Sequence, residues 1–243
     1  MTTETAKPEL IRGRWRSIKL LAAMLALVVG AQLLLLARSR LMPPGLPDPV
    51  LLTSPEQLAD PVAPSRAPPR YDLTIYVFSD YQCPSCRLLH KDLEKAVSDD
   101  GRVRLVYKDW VIFGDRSRRA ARLAIAAQWQ GRHAAMNDVL MRGTTGFDDT
   151  SLAAQAARSG TDWQRLLVDL DAHRGDIDAS LERTDREARL LNIGGTPALV
   201  MGNRLFVGRL GADQIKQAIA SARRGQIVPA DNGPASDINR TGG

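Results

Sequence analysis

A chain of 243 residues with 44% apolar side chains is long enough for one or two domains around an ordinary globular core. Its net charge of +6 would suit a nucleic-acid partner, but Arg116, Arg118, Arg119 and Arg122 alternate with Ala and Leu as on a solvated helix face, and no such partner is expected. Two cysteines and three scattered histidines (His90, His133, His173) do not make the four ligands of a tetrahedral zinc site, so neither a metal nor a cofactor is expected.

Residues 1–17 are rich in basic side chains. From Leu20 to Ala37 runs an uncharged apolar stretch, broken only by Gln32 and reaching back past Lys19 to Ile18. At about 1.5 Å per residue it spans most of a roughly 30 Å hydrocarbon core. A cleaved signal peptide would have a shorter apolar region and a small-residue cleavage site, so a single transmembrane anchor is expected over 18–37. Lys7, Arg12, Arg14, Arg16 and Lys19 outweigh Arg38 and Arg40, which puts the N-terminus inside the cytoplasmic membrane and the rest of the chain in the periplasm or another extracytoplasmic space. Disulfides form and persist there. Residues 38–70 then carry nine prolines and read as a semi-rigid linker with polyproline character.

The folded part is expected over 71–224. Asp72 to Phe78 is β-branched and aromatic and reads as a buried strand, and Leu88 to Val97 has apolar residues at helical spacing. Between them lies Cys83-Pro84-Ser85-Cys86. A C-x-x-C at a strand-to-helix turn is a redox constellation, because the first Cys meets the unpaired N–H groups and the dipole of the helix start, which stabilise a thiolate. Cys86, one turn on, can close a short disulfide ring, and Pro84 fits the first turn, where its missing N–H costs nothing. With no second pair available for a structural disulfide, these cysteines are read as catalytic. Val103 to Tyr107 forms the next strand, completing a right-handed βαβ unit.

A helical block follows over about 115–191. Arg118 to Trp129 is Ala-rich, Trp163, Leu166, Leu167 and Leu170 repeat at helical spacing, and Ile177, Leu181, Ala188 and Leu191 continue a stripe; all are read as core. Strands return at Ala198 to Met201 and Leu205 to Val207 around a tight turn at Gly202-Asn203, and Ala212 to Arg223 closes the fold as a helix. The order is a thioredoxin-type α/β core interrupted by a helical insertion. Residues 225–243, poor in apolar side chains, read as a disordered tail. Before the third strand stands Gly194-Gly195-Thr196-Pro197. A proline entering a strand must sit at its first residue or at an edge, a cis Thr196-Pro197 bond is expected, and the glycines are expected to supply unusual backbone angles and room for a peptide.

The segments Phe78-Ser79-Asp80-Tyr81-Gln82-Cys83-Pro84-Ser85-Cys86, Tyr107-Lys108-Asp109-Trp110-Val111-Ile112-Phe113-Gly114 and Gly194-Gly195-Thr196-Pro197-Ala198-Leu199-Val200 resemble the signature blocks of the DsbA-like thiol–disulfide oxidoreductases, over roughly Asp72 to Arg223. The resemblance implies a thioredoxin fold with an inserted helical domain that acts on cysteines of exported proteins. A dithiol oxidase is expected: a substrate thiolate attacks Cys83, Cys86 is expelled, and Thr196 and Pro197 hold the substrate backbone. In relatives a quinone-linked membrane protein reoxidises the pair, so a membrane redox partner is implied. The inner residues Pro84 and Ser85 tune the thiolate, Ser85 standing where His or an aromatic residue is common. Many relatives have a buried acid six residues before the first Cys, where this chain has Val77; Lys108 is expected to assist proton movement in its place. A reductase or isomerase using the same cysteines is the alternative, and a Cu(I) metallochaperone a more distant one, since soft thiolates suit Cu(I) but no Met or His cluster accompanies them.

Overall fold

The computed structural model describes residues 24–32, 50–51, 55–143 and 146–225. In chain order the body contains β1 (Val50–Leu51), a 3-10 turn (Pro55–Leu58), β2 (Ser65–Arg66), β3 (Leu73–Ser79), α1 (Pro84–Asp100), β4 (Val103–Asp109) and α2 (Asp115–Ala126). There follow a second 3-10 turn (Ala127–Gln130), α3 (His133–Arg142), α4 (Asp149–Arg158), α5 (Trp163–Ala172), α6 (Arg174–Leu190), β5 (Ala198–Met201), β6 (Arg204–Val207) and α7 (Ala212–Gly225). Residues 24–32, in a separate unit over residues 1–46, are helical with exposed side chains. No helix among the described residues is long and apolar enough to cross a membrane. The other residues of the expected span 18–37, the segment 1–17 and the tail beyond Gly225 lie outside the described residues.

Among the described residues six strands make one mixed sheet in the order β1-β6-β5-β3-β4-β2. Of these pairings only β3 with β4 is parallel, with Val77 opposite Tyr107, Phe78 opposite Lys108 and Ser79 opposite Asp109. Their connection is α1, which stops at Gly101; φ of +71° there suits glycine, and its N–H returns to the Val97 carbonyl at 3.0 Å. Because strand side chains alternate, this register divides the sheet into two faces. Val77, Ser79 and Tyr107 turn toward Cys86, Leu89 and Leu93 of α1, and α7 packs beside α1. Phe78, Trp110, Ala198 and Val200 turn the other way, toward Ala188 of α6 and Leu58 of the first 3-10 turn.

Helices α2 to α6 form the expected insertion. Asp148 and Asp162 cap α4 and α5, accepting from the Ser151 and Arg165 N–H groups at 2.9 Å in each case. The core of the block, built on Leu123, Met136, Leu140, Leu166 and Ile177, is continuous with Tyr81, Cys83 and Cys86. The insertion is therefore the floor of the cysteine turn and not an appendage.

Two expectations need correction. The Pro-rich stretch expected to be a linker up to residue 70 joins the body at β1, Val50–Leu51, which pairs antiparallel with β6, and again from Pro55 onward. β2 pairs antiparallel with β4, the Tyr107 N–H donates to the Pro64 carbonyl at 2.9 Å, and Leu58 is buried. Asp60, also buried, accepts from Ser180 Oγ at 2.8 Å and pairs with Arg183. Burial alone would raise the Asp60 pKa, but the Val62 N–H, Ser180, Lys108 and Arg183 outweigh it and hold the carboxyl below its ordinary value. Prolines space these contacts without abolishing them.

The second correction is Lys108. Opposite Phe78, it faces α6 and not the cysteines; it is 0% exposed, with Nζ 2.8 and 3.1 Å from the Glu187 oxygens. Burial raises the Glu187 pKa while Lys108 pulls it down. Breaking a buried pair from one side leaves an uncompensated charge. Lys108→Met should cost about 3–5 kcal/mol in urea unfolding at pH 7, and Lys108→Met with Glu187→Leu should recover most of it. Equal losses in the single and double variants would show that the pair is not the source.

Candidate active site

The cysteine turn is where β3 ends and α1 begins. The Cys83 N–H bonds the Asp80 carbonyl at 3.1 Å, and the Cys83 carbonyl accepts from the Cys86 and Arg87 N–H groups at 3.1 and 3.3 Å. Cys83 is thus the N-cap of α1, with extended backbone (φ −72°, ψ 118°) and Pro84 in the first turn. Both cysteines are free thiols and nearly sealed, Cys83 at 4% and Cys86 at 2% exposure. Pro84 and Ser85 face solvent. Burial pushes the Cys86 thiol up to about 12, against the opposing help of the Asp80 backbone and the Thr196 side chain, and the adjoining Cys83 adds to the upward push.

The Thr196-Pro197 bond is cis. It brings the Thr196 carbonyl to 3.4 Å from Cys83 Sγ, which donates to it. The Pro197 carbonyl is already taken by the Gly208 N–H at 2.8 Å, which ties the loop to the end of β6. Neither Gly194 nor Gly195 has a positive φ, and a Cβ at either would meet nothing within 4 Å. Their contribution is open space before the Thr196-Pro197 bond.

Residues to which the sequence reading gave no role complete the site. Asp80 is 2% exposed and acts as a bolt between two loops. Its carboxylate accepts from the Gln82 N–H at 2.8 Å, the Ile112 N–H at 2.9 Å, the Phe113 N–H at 3.1 Å and Ser117 Oγ at 2.5 Å. Gln82 adds bonds to the Phe113 carbonyl at 3.1 Å and Ser117 Oγ at 2.8 Å. The bolted loop presents Ile112 and Phe113 to solvent, and Leu88 on α1 is exposed too. Beneath Cys86 lies a cavity of about 10 Å³, room for about one water, lined by Ser79, His90, Tyr107 and Asn137 among others. His90 Nε2 is 2.8 Å from Asp138 Oδ1, and Tyr81 donates to Asn137 Oδ1 at 3.2 Å. Asp109 is 4% exposed, and among the described residues neither carboxyl oxygen has a well-formed hydrogen bond, the Tyr81 side chain acting on it from close by. Burial pushes its pKa up to about 8, Tyr81 opposing and the Asp80 charge adding.

A capping cysteine, a sealed second cysteine one turn on and a cis-proline loop against the first define a thiol–disulfide oxidoreductase on a thioredoxin fold. Residues 74–220 match the model of the DSBA-like thioredoxin domain, and the chain belongs to that family. Among solved structures it is similar to a thioredoxin-like oxidoreductase from Silicibacter pomeroyi DSS-3, with 32% identity, 71% of this chain and 99% of that one covered, and a TM-score of 0.66. The thiol-disulfide exchange protein alpha-DsbA2 from Wolbachia pipientis shares the fold at 22% identity and a TM-score of 0.64, over 68% of this chain and 89% of that one. The Na(+)/H(+) antiporter NhaA 1 of Salinispora arenicola is 26% identical over 170 residues, 69% of this chain. The chain spans only about a quarter of that antiporter's length, 26%.

The sealed, proton-holding Cys86 makes a direct prediction. Because the thiolate is the nucleophile, Cys86 in a Cys83→Ser variant should resist iodoacetamide at pH 7 and react only as the pH climbs above about 10. Mass-spectrometric mapping checks this; alkylation of Cys86 at pH 7 at the rate of a free thiol would contradict it.

Proposed function

We propose that the chain is an extracytoplasmic dithiol oxidase that introduces disulfides into exported proteins. The observation carrying this reading is Cys83 at the N-cap of α1 with Cys86 sealed below it. Cys83 thereby stands at the positive end of the α1 dipole, where the sulfur that leaves from a mixed disulfide is expected. A substrate thiolate attacks Cys83 Sγ, the Cys83–Cys86 bond breaks, and Cys86 leaves with the electron pair. A second substrate thiolate then attacks the substrate sulfur of the mixed disulfide, and Cys83 leaves. The client gains one disulfide and the enzyme is left as the dithiol. A membrane redox partner would remove the two electrons and two protons and reset the pair. Open space at Gly194-Gly195 and the exposed Ile112, Phe113 and Leu88 suit an unfolded client chain.

Equilibration of the Cys83–Cys86 couple with glutathione tests the direction. An oxidase should lie at or above about −200 mV, near or beyond the poise of an oxidising compartment. A value near −270 mV, that of thioredoxin, would assign the chain to the reductase reading instead.

The same proposal places the catalytic domain outside the cytoplasmic membrane, held by an anchor over 18–37 with the N-terminus inside. The apolar run and its flanking charges support it, as does a matching region in relatives named as antiporters. A reporter active only outside the cytoplasm, fused after Arg224, should be active. Activity of a cytoplasm-only reporter at the same position would refute the topology.

A further inference from the structure

Adjacent large apolar side chains in a surface loop gain by folding back onto the body. Ile112 and Phe113 do not fold back. They are 41% and 50% exposed, while Val111 before them packs on the core of the insertion. Something holds the pair out in water, and the hydrogen bonds of the loop show what it is.

The loop is held through its backbone, from the turn that leads into Cys83. The Ile112 and Phe113 N–H groups, at 2.9 and 3.1 Å, donate to the same oxygen, Asp80 Oδ2. Asp80 Oδ1 accepts from Ser117 Oγ at 2.5 Å and from the Gln82 N–H at 2.8 Å. Gln82 Nε2 then donates to the Phe113 carbonyl and to Ser117 Oγ, which closes the ring of bonds. Phe113 is therefore pinned at its N–H from position 80 and at its C=O from position 82, and the next residue is Cys83. Upstream, the Trp110 N–H donates to the Ser79 carbonyl at 2.8 Å. Downstream, Ser117 ties the first turn of α2 to the Asp80 carboxylate. Bonds to a carboxylate are shorter and stronger than neutral ones. The offset between the apolar pair and the catalytic sulfur is thus set chiefly by one buried side chain.

We propose that Asp80 is a positioning residue for client selection. Its carboxylate holds Ile112 and Phe113 at a fixed offset from Cys83, so that cysteines flanked by large apolar side chains are preferred. The inference rests on the reading that this rim meets the client chain, and not on the direction of exchange. Asp80 acts through the loop and touches no reacting atom. A client that lays its apolar side chains on Ile112 and Phe113 brings its own sulfur to Cys83 Sγ already oriented, so burial at a distance becomes reactivity at the sulfur. Without the carboxylate the pair is free to move, and the same burial no longer aligns the client.

The test uses the oxidised full-length protein and two synthetic peptides, each with a single cysteine. Leucines flank the cysteine in one peptide and serines in the other. The readout is the ratio of their second-order rate constants for reducing the Cys83–Cys86 disulfide, each expressed per peptide thiolate. The wild type should prefer the leucine peptide by about tenfold. Asp80→Ala should bring the ratio below about threefold. General damage to the cysteine turn slows both peptides alike and cancels in the ratio. Ile112→Ser with Phe113→Ser should abolish the preference, and adding Asp80→Ala to that pair should shift the ratio by less than about twofold. A tenfold preference retained in Asp80→Ala, but lost in the Ile112→Ser, Phe113→Ser protein, overturns this proposal and leaves the rim as the client contact. No preference in the wild type, or one that survives loss of both rim side chains, overturns the client reading of the rim and the proposal with it. Should Asp80→Ala fail to fold, hydrogen exchange in the wild type decides. The Ile112 and Phe113 amides should be protected by at least about 10²-fold, and exchange at the rate of an open loop would show that the pair is not held.

Discussion

The parallel register of β3 against β4 is the constraint on which the rest of the site depends. Once Val77 stands opposite Tyr107, the period-two alternation of strands assigns every neighbour a face. Phe78, Lys108 and Trp110 are committed to the α6 side, where Lys108 meets Glu187. Ser79 and Tyr107 are committed to the α1 side with Cys86. Chemistry is thus segregated by parity. One layer of the molecule carries a buried ion pair with a structural task, and the other carries the cavity beneath the second cysteine.

Asp80 links that scaffold to the surface. Its backbone carbonyl holds the Cys83 N–H while its carboxylate gathers the 112–117 loop. The negative charge of one side chain therefore fixes both the start of α1 and the apolar rim beside it. A carboxylate satisfied by several donors is cheap to bury, whereas Asp109 has only the Tyr81 side chain to oppose the rise that burial imposes on its pKa.

Much of this was legible in the sequence. The β-branched run before the cysteines, the helical spacing after them, the insertion and the proline at the start of β5 all emerge as read, because each depends on local pattern. Long-range pairing was less legible. Prolines at 55, 61 and 64 advertise a linker, while the residues that tie this segment down, Leu58 and Asp60, are isolated side chains whose partners lie far along the chain. Lys108 was misplaced although the signal existed: counting alternation from Val77 and Tyr107 turns it away from Cys86. Asp80 and Asp109 sat within the quoted motifs, but nothing local distinguishes a carboxylate that will be capped by four donors from one that will not.

The N-terminal strap has a mechanical consequence. Asp60 reaches Ser180 across 120 positions of sequence, and β2 lies along the outer edge of β4. Tension applied to the segment from Pro55 to Arg66 therefore enters the body at α6 and at the sheet margin, where β2 is loaded along its length and its hydrogen bonds share the force. β3 sits one strand further in, shielded by β4. A pull on the strap is absorbed before it reaches the strand that carries the cysteines, so the catalytic turn can keep its geometry under load.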